Sequence, residues 1–485
     1  MNVSGGDALE MVFLENLRVW LSRNLAPVIF LVAYFITVVL GNIIYWLPFG
    51  RVLLERDAYT ARILGFETLF TPGYWLLLAL PFLLTPFIVF LVKKVFGGKI
   101  SKLAAYVPDL SVAEYCFIVS VAYAFVIYSL IRADAFSLFL AGTDAVSSVL
   151  ARFQIRDQLG FAPLAVLMSV LHYFSIYSLV RWMNVKKGFW LFATVINATL
   201  MSLFLTMLNM KWPILIFYAG LVLAIFVYAK RYAYLKTFIG GVLLVLMYFL
   251  ISAFVFRLAA PDQMVESTTT QAESKAPSVQ AEGKAPMDGS KSSIADDSPN
   301  RTNTRVITNV VNVGGAAAHN APMLLFNVVN RMAIIYPYYY QVFTTEGAVC
   351  GGVMAQARIG QPCRPSTYIY SRIFDDQFKG RGTAPAAVQI TAYALGGWPL
   401  AVVGLLCASI VLGIFASLPL GASATVGSLA VTGAIAGYHF SQLPGEGPIF
   451  YDHGVFWTLF VLLLFGVWRA MSHRFRSRKH DLKVQ

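Results

Sequence analysis

Apolar runs of about 20 residues recur along this chain, and no other feature constrains its fold as tightly. A bilayer core about 30 Å thick takes ~20 helical residues to cross, and a backbone in lipid must satisfy its own hydrogen bonds. Ten such runs are predicted as spanning helices, at about 25–47, 73–92, 112–131, 161–181, 188–207, 212–229, 237–256, 393–415, 421–440 and 454–471. Composition agrees, since 58% of the 485 residues are hydrophobic and only 13% charged, against roughly 25% charged in soluble domains. The expected fold class is an all-α polytopic membrane protein with about ten transmembrane helices. A large periplasmic loop, 257–392, is expected between helices seven and eight. It separates an N-terminal membrane bundle, 1–256, from a C-terminal one, 393–471, and a basic tail, 472–485.

Charge orients the bundle. Lys93, Lys94, Lys99 and Lys102 fall in one loop; Arg181, Lys186 and Lys187 in the next on that side; then Lys230, Arg231 and Lys236; then the tail from Arg469 to Lys483. Cytoplasmic loops collect Lys and Arg, so both termini are predicted to be cytoplasmic. This bias also accounts for the net charge of +13. No basic patch interleaved with aromatics on a soluble domain is visible, and nucleic acid is set aside. The start, DALEMVFLENLRVWLSRN, is amphipathic and has no cleavage site, so a helix on the membrane surface is expected rather than a signal peptide.

The large loop divides by composition. Residues 262–305 contain no aromatic residue and are rich in Ser, Thr, Pro, Ala and Gly; such a stretch is expected to be disordered. Residues 306–392 mix aromatics with cations and are expected to form short helices on the membrane face. The late run GASATVGSLAVTGAIAG suits close helix–helix approach. Cys116 and Cys407 lie inside apolar runs and read as small core residues. Cys350 and Cys363 share one hydrophilic loop and are expected to pair in an oxidising compartment.

Chemistry has few places to sit. Apart from His172, the spans hold almost no ionisable side chain away from their ends, which counts against ion-coupled transport. His172 itself reads as a core histidine. The outer side carries cations that topology does not require. Of these, Lys211, Arg156, Arg257, Arg331 and Arg372 are candidates to meet a diphosphate, because Arg pairs two phosphate oxygens at once. Each taken singly also suits a snorkelling anchor. The hairpin GYHFSQLPGEGPIFYDHG brings His439, Glu446, Asp452 and His453 to the surface, where His439 or Glu446 is a candidate proton acceptor. Tyr336, Tyr338, Tyr339 and Tyr340 form a run suited either to sugar rings or to an interfacial belt. Metal-ligand spacing, nucleotide loops and hydrolase elbows are missing, so no metal and no cofactor is expected.

Three stretches carry a resemblance: LNMKWPILIFYAGLVLAIFVYAKR, NVVNRMAIIYPYYYQVF and GTAPAAVQITAYALGGWPLAVVGLL. With the ten-span plan and the late outer loop, the chain over about 110–471 resembles the oligosaccharide repeat-unit polymerases, the O-antigen polymerase family of bacterial envelopes. At Lys211 the family more often has Arg. The resemblance implies a bacterial inner-membrane enzyme whose donor is an oligosaccharide linked through diphosphate to undecaprenol. The growing glycan would move as a block to the next repeat unit, with the cations holding the departing diphosphate and His439 or Glu446 acting as base. It also implies membrane lipid and a chain-length regulator, flippase and ligase of the same pathway as partners. The O-antigen ligase is a rival that uses the same donor. Multi-span lipid-dependent glycosyltransferases are another, for which Glu55 and Asp57 in the first outer loop would be read as acidic site residues. A flippase is a third.

Overall fold

The computed structural model describes residues 5–55, 69–136, 154–155, 158–208, 210–255, 333–348, 364–374, 382–442 and 457–469. Contacts divide the chain into two units, and all of these residues belong to the one formed by Met1–Val255 and Val329–Gln485. The expected disordered stretch 262–305 lies outside the described residues.

Helix is the only regular structure among the described residues. Seven helices are long and apolar enough to cross a membrane: α2 (Leu25–Trp46), α4 (Pro72–Ala105), α5 (Val112–Arg132), α6 (Phe161–Val185), α7 (Gly188–Met207), α9 (Ala233–Val255) and α12 (Val388–Ala416). Shorter or less apolar are α8 (Lys211–Tyr228), α13 (Ala424–Ser441) and α14 (Trp457–Arg469). The remaining helices are α1 (Gly5–Arg23), α3 (Pro48–Glu55), α10 (Ile335–Thr345) and α11 (Pro365–Phe374). Their starts follow local chemistry. Ser111 and Glu114 form a capping box at α5, while Thr71 caps α4 with Pro72 in its first turn, and Ser423 caps α13. At the predicted surface helix, Arg18 of α1 donates to the carbonyl of Ala229 at 2.7 Å. A cation there satisfies carbonyls at the end of α8 that have no partner within the helix.

Small residues set the packing, as the Gly- and Ala-rich late run leads one to expect. A methyl group at Gly437 of α13 would stand 2.3 Å from the Ala26 carbonyl oxygen of α2, so the two backbones touch. Gly433 accepts the ring of Phe415, and Gly413 of α12 accepts Val92 of α4, with Thr85 and Ser409 hydrogen-bonded at 3.0 Å between the same two helices. Of α6's apolar stretch, 89% is buried, whereas none of α9's is; α6 is central and α9 peripheral.

Cys116 and Cys407, expected in the core, are exposed on their helices. The physical reason is that a lipid-facing position is as apolar as an interior one, so an apolar run does not tell them apart.

The lysine-rich helix ends gather on one end of the bundle. There Lys93 reaches Asn24 at 2.9 Å, Arg469 lies 4.0 Å from Glu114, and Asp109 is the keystone. Its carboxylate pairs with Arg181 of α6 and accepts from the Ala424 backbone N–H at 2.6 Å. One side chain thus ties the α4–α5 connection to α6 and to the positive start of α13. Both partners are about one-quarter exposed, so the pair sits between the surface and buried limits. Asp109→Ala is expected to cost about 2–3 kcal/mol, read as a lowered unfolding midpoint in detergent. Asp109→Asn should cost less, because its amide oxygen can still accept from the α13 backbone.

Candidate functional site

The opposite end of the bundle holds the described site candidates. α10 carries the tyrosine run, and all four rings are buried: Tyr336, Tyr338, Tyr339 and Tyr340. The Tyr336 hydroxyl donates to the Tyr74 carbonyl and that of Tyr339 to the Ala384 carbonyl, while Tyr340 shares a hydrogen bond with Thr71 at 2.7 Å. Tyr74 in turn donates to Asn42, whose amide reaches the carbonyls of Val38 and Ala333. Rings follow the same path, with Tyr74 4.6 Å from Tyr336 and Tyr340 stacked on Tyr393. Burial pushes the Tyr336 hydroxyl pKa well up, and neighbouring tyrosines add to it. The run therefore pins α10 to α2, α4 and α12. Its ring faces are occupied by protein.

Beneath α10, α12 begins unusually. Its first part, 388–395, is buried along its whole length, and an irregular segment, 382–387, leads into it. The helix breaks at Gly396 and Gly397, where Gly397 has φ +66, a left-handed conformation that only glycine adopts without strain. Trp398 and Pro399 then restart it. The buried part of the helix ends at this break, since Gly396 and Pro399 are exposed. A cavity of about 10 Å³ lies between Val38, Tyr336, Ala387, Ile390 and Gln442, room for roughly one water. The Gln442 side-chain N–H group is buried there without a partner among the described residues.

Lys211 opens α8. The next residue, Trp212, packs its ring 5.7 Å from that of Tyr438, the neighbour of His439. The start of α8 and the end of α13 are thus brought together. His439 is half-buried in the last turn of α13, edge-on to Tyr438. Arg372 is exposed on α11, 3.1 Å from Glu346 and 5.2 Å from the centre of the Tyr368 ring. Its hydrogen bonds to the Tyr368 hydroxyl, which it donates, and then the Glu346 charge hold its guanidinium above the ordinary arginine range. Arg156, Arg257, Arg331, Glu446, Cys350 and Cys363 lie outside the described residues, as do Asp452 and His453.

His172 follows a wider-wound turn, Val166–Leu171, in α6. It is buried, with Nε2 unpartnered among the described residues and packed against Gly220 of α8 and the edge of Phe217. The core placement expected from sequence is found, but the imidazole is only partly satisfied.

Sequence reasoning did not single out Gln389, Gln442 or Arg364 as site residues. Gln389 and Gln442 are buried at this end of the bundle. The Arg364 Nε, at the start of α11, is buried with no partner among the described residues. The available signal was a Gln inside an otherwise apolar stretch, in AVQITAY and again after HFS. No group of three or more metal-ligating side chains occurs among the described residues. No protein-family model, curated protein or solved structure matches this chain.

Proposed function

We propose that this membrane protein is a glycan polymerase that joins undecaprenyl-diphosphate-linked oligosaccharide repeat units at the periplasmic face of a bacterial inner membrane. The single observation that carries the reading is the contact between Trp212 and Tyr438. It brings the helix start bearing Lys211 next to the helix end bearing His439. These two residues come from distant parts of the chain and suit the two halves of one reaction.

In that reaction a hydroxyl oxygen of the acceptor unit attacks the anomeric carbon of the donor glycan. The bond from that carbon to the diphosphate oxygen breaks, and the oxygen leaves with the electron pair. Lys211, with Arg156, Arg257, Arg331 and Arg372, stabilises the charge that collects on the diphosphate. His439 or Glu446 takes the hydroxyl proton. Arg372 must exchange Glu346 for phosphate to take part. Tyr336, Tyr338 and Tyr339 hold the covering helix in place; a sugar would meet their ring faces only after α10 shifts. No nucleotide or other cofactor enters, because the lipid diphosphate already activates the sugar.

The same reading gives ten spans, adding α8, α13 and α14 to the seven long helices, with the lysine-rich end and both termini in the cytoplasm. Alkaline phosphatase fused after Asp297 is expected to be active and fused after Gln485 inactive. An inactive fusion at Asp297 would overturn the orientation.

Deleting the gene tests the activity. Loss of the polymerase leaves one repeat unit on the surface lipid. If the single-unit product also disappears, the O-antigen ligase reading replaces this one. A flippase predicts that repeat units accumulate on the cytoplasmic leaflet.

A further inference from the structure

We propose that the lysine-rich end of the bundle carries a specific site for the phosphate headgroup of an anionic phospholipid, formed by Lys186, Lys230 and Lys236 with Lys187 and Arg231 beside them. Two short connections supply these cations. Lys186 and Lys187 join α6 to α7, Lys230 and Arg231 join α8 to α9, and Lys236 lies in the first turn of α9. All five side chains are exposed. The inference stands independently of the glycan chemistry at the opposite end.

The cations converge instead of spreading. Lys186 sits in a left-handed turn, φ +58, with its ammonium 4.5 Å from the centre of the Trp182 ring. α6 packs against α8 and α7 against α9, so the α6–α7 and α8–α9 connections lie side by side. The Lys186 pKa is lowered accordingly, by partial desolvation and then by the charges of Lys236 and Lys230. Compensating carboxylates are engaged elsewhere: Asp109 with Arg181, Glu114 with Arg469, and Glu15 with Arg18. Among the described residues, no carboxylate pairs with any of the five cations.

Like charges held together by two turns repel unless an anion lies between them. Orientation in the membrane requires cations on this side but does not require that they meet. The cluster lies where membrane-crossing helices end, at the depth of lipid phosphates, and Trp182 and Tyr232 flank it as headgroup-level aromatics. Arg231 is laid over the Tyr232 ring at 5.0 Å. A phosphate offers several oxygens to three ammonium groups at once, and the lipid supplies it at high local concentration.

The test is native mass spectrometry of the full-length protein in detergent, titrated with diphosphatidylglycerol and, separately, with phosphatidylcholine. The wild-type chain is expected to retain the anionic lipid and not the zwitterionic one. The triple variant Lys186→Gln, Lys230→Gln, Lys236→Gln should bind diphosphatidylglycerol about 100-fold more weakly, at ~1 kcal/mol per lysine. A second triple, Lys94→Gln, Lys99→Gln, Lys102→Gln on α4, removes the same charge from the same end and should leave binding within about twofold, as expected if affinity resides in one cluster. All six side chains are exposed, so folding is not at stake. Equal losses in both triples would mean diffuse attraction and overturn the site, as would unchanged binding in the first. Displacement of the lipid by excess inorganic phosphate would show that a free phosphate is the ligand and overturn the lipid assignment.

Discussion

Alanine at Lys211, Arg257 or Arg331 is expected to lower glycan polymer formation by about 30- to 1000-fold, while the protein still inserts normally. The magnitude is that of removing one preorganised group that stabilises developing charge, ~2–4 kcal/mol. A cation near the departing diphosphate interacts more strongly as the bond breaks, so its removal should lower the rate more than the affinity for donor. Lys211→Arg should be partly tolerated, since the charge survives. An interfacial anchor behaves differently, because its loss costs little and another cation or an aromatic replaces it. The measurement is the length distribution of surface glycan at matched protein level. Full-length polymer from all three variants would remove these residues from the reaction.

Valine at Gly437 is expected to cost about 3 kcal/mol, at the upper end of ordinary overpacking, and to lower the yield of folded protein. The first added carbon would stand 2.3 Å from the Ala26 carbonyl oxygen and 3.3 Å from the Phe30 backbone nitrogen. Backbone atoms of a neighbouring helix do not step aside as a side-chain tip does, so α2 and α13 must separate. Gly466 of α14 has open space where its side chain would be. Gly466→Val should change stability by no more than about 0.5 kcal/mol. The two variants have the same chemistry and differ only in surroundings, so unfolding midpoints in detergent read the packing directly. Equal midpoints would show that α2 and α13 are not in backbone contact.

The apolar runs alone determined that this chain builds helices long enough to cross a membrane. In lipid the backbone has no other way to satisfy its hydrogen bonds one segment at a time. Sequence also marked the late helices as closely packed, because Gly and Ala at helical spacing leave no side chain to hold neighbours apart. Only the tertiary structure decided which backbone each glycine meets, since the pairing of Gly437 with Ala26 depends on how α2 and α13 lie together. The tyrosine run left a choice between a sugar platform and an interfacial belt, and the structure adds that all four rings are buried against protein. Its hydroxyls are buried because Thr71, Tyr74 and Ala384, from two other parts of the chain, supply partners at the right depth. The exposed Cys116 and Cys407 make the converse point, because lipid asks of a residue only that it be apolar. Lys211 and His439 were each visible as polar residues at a helix end. That they share one end, across the Trp212–Tyr438 contact, follows from helix packing, which no local pattern encodes.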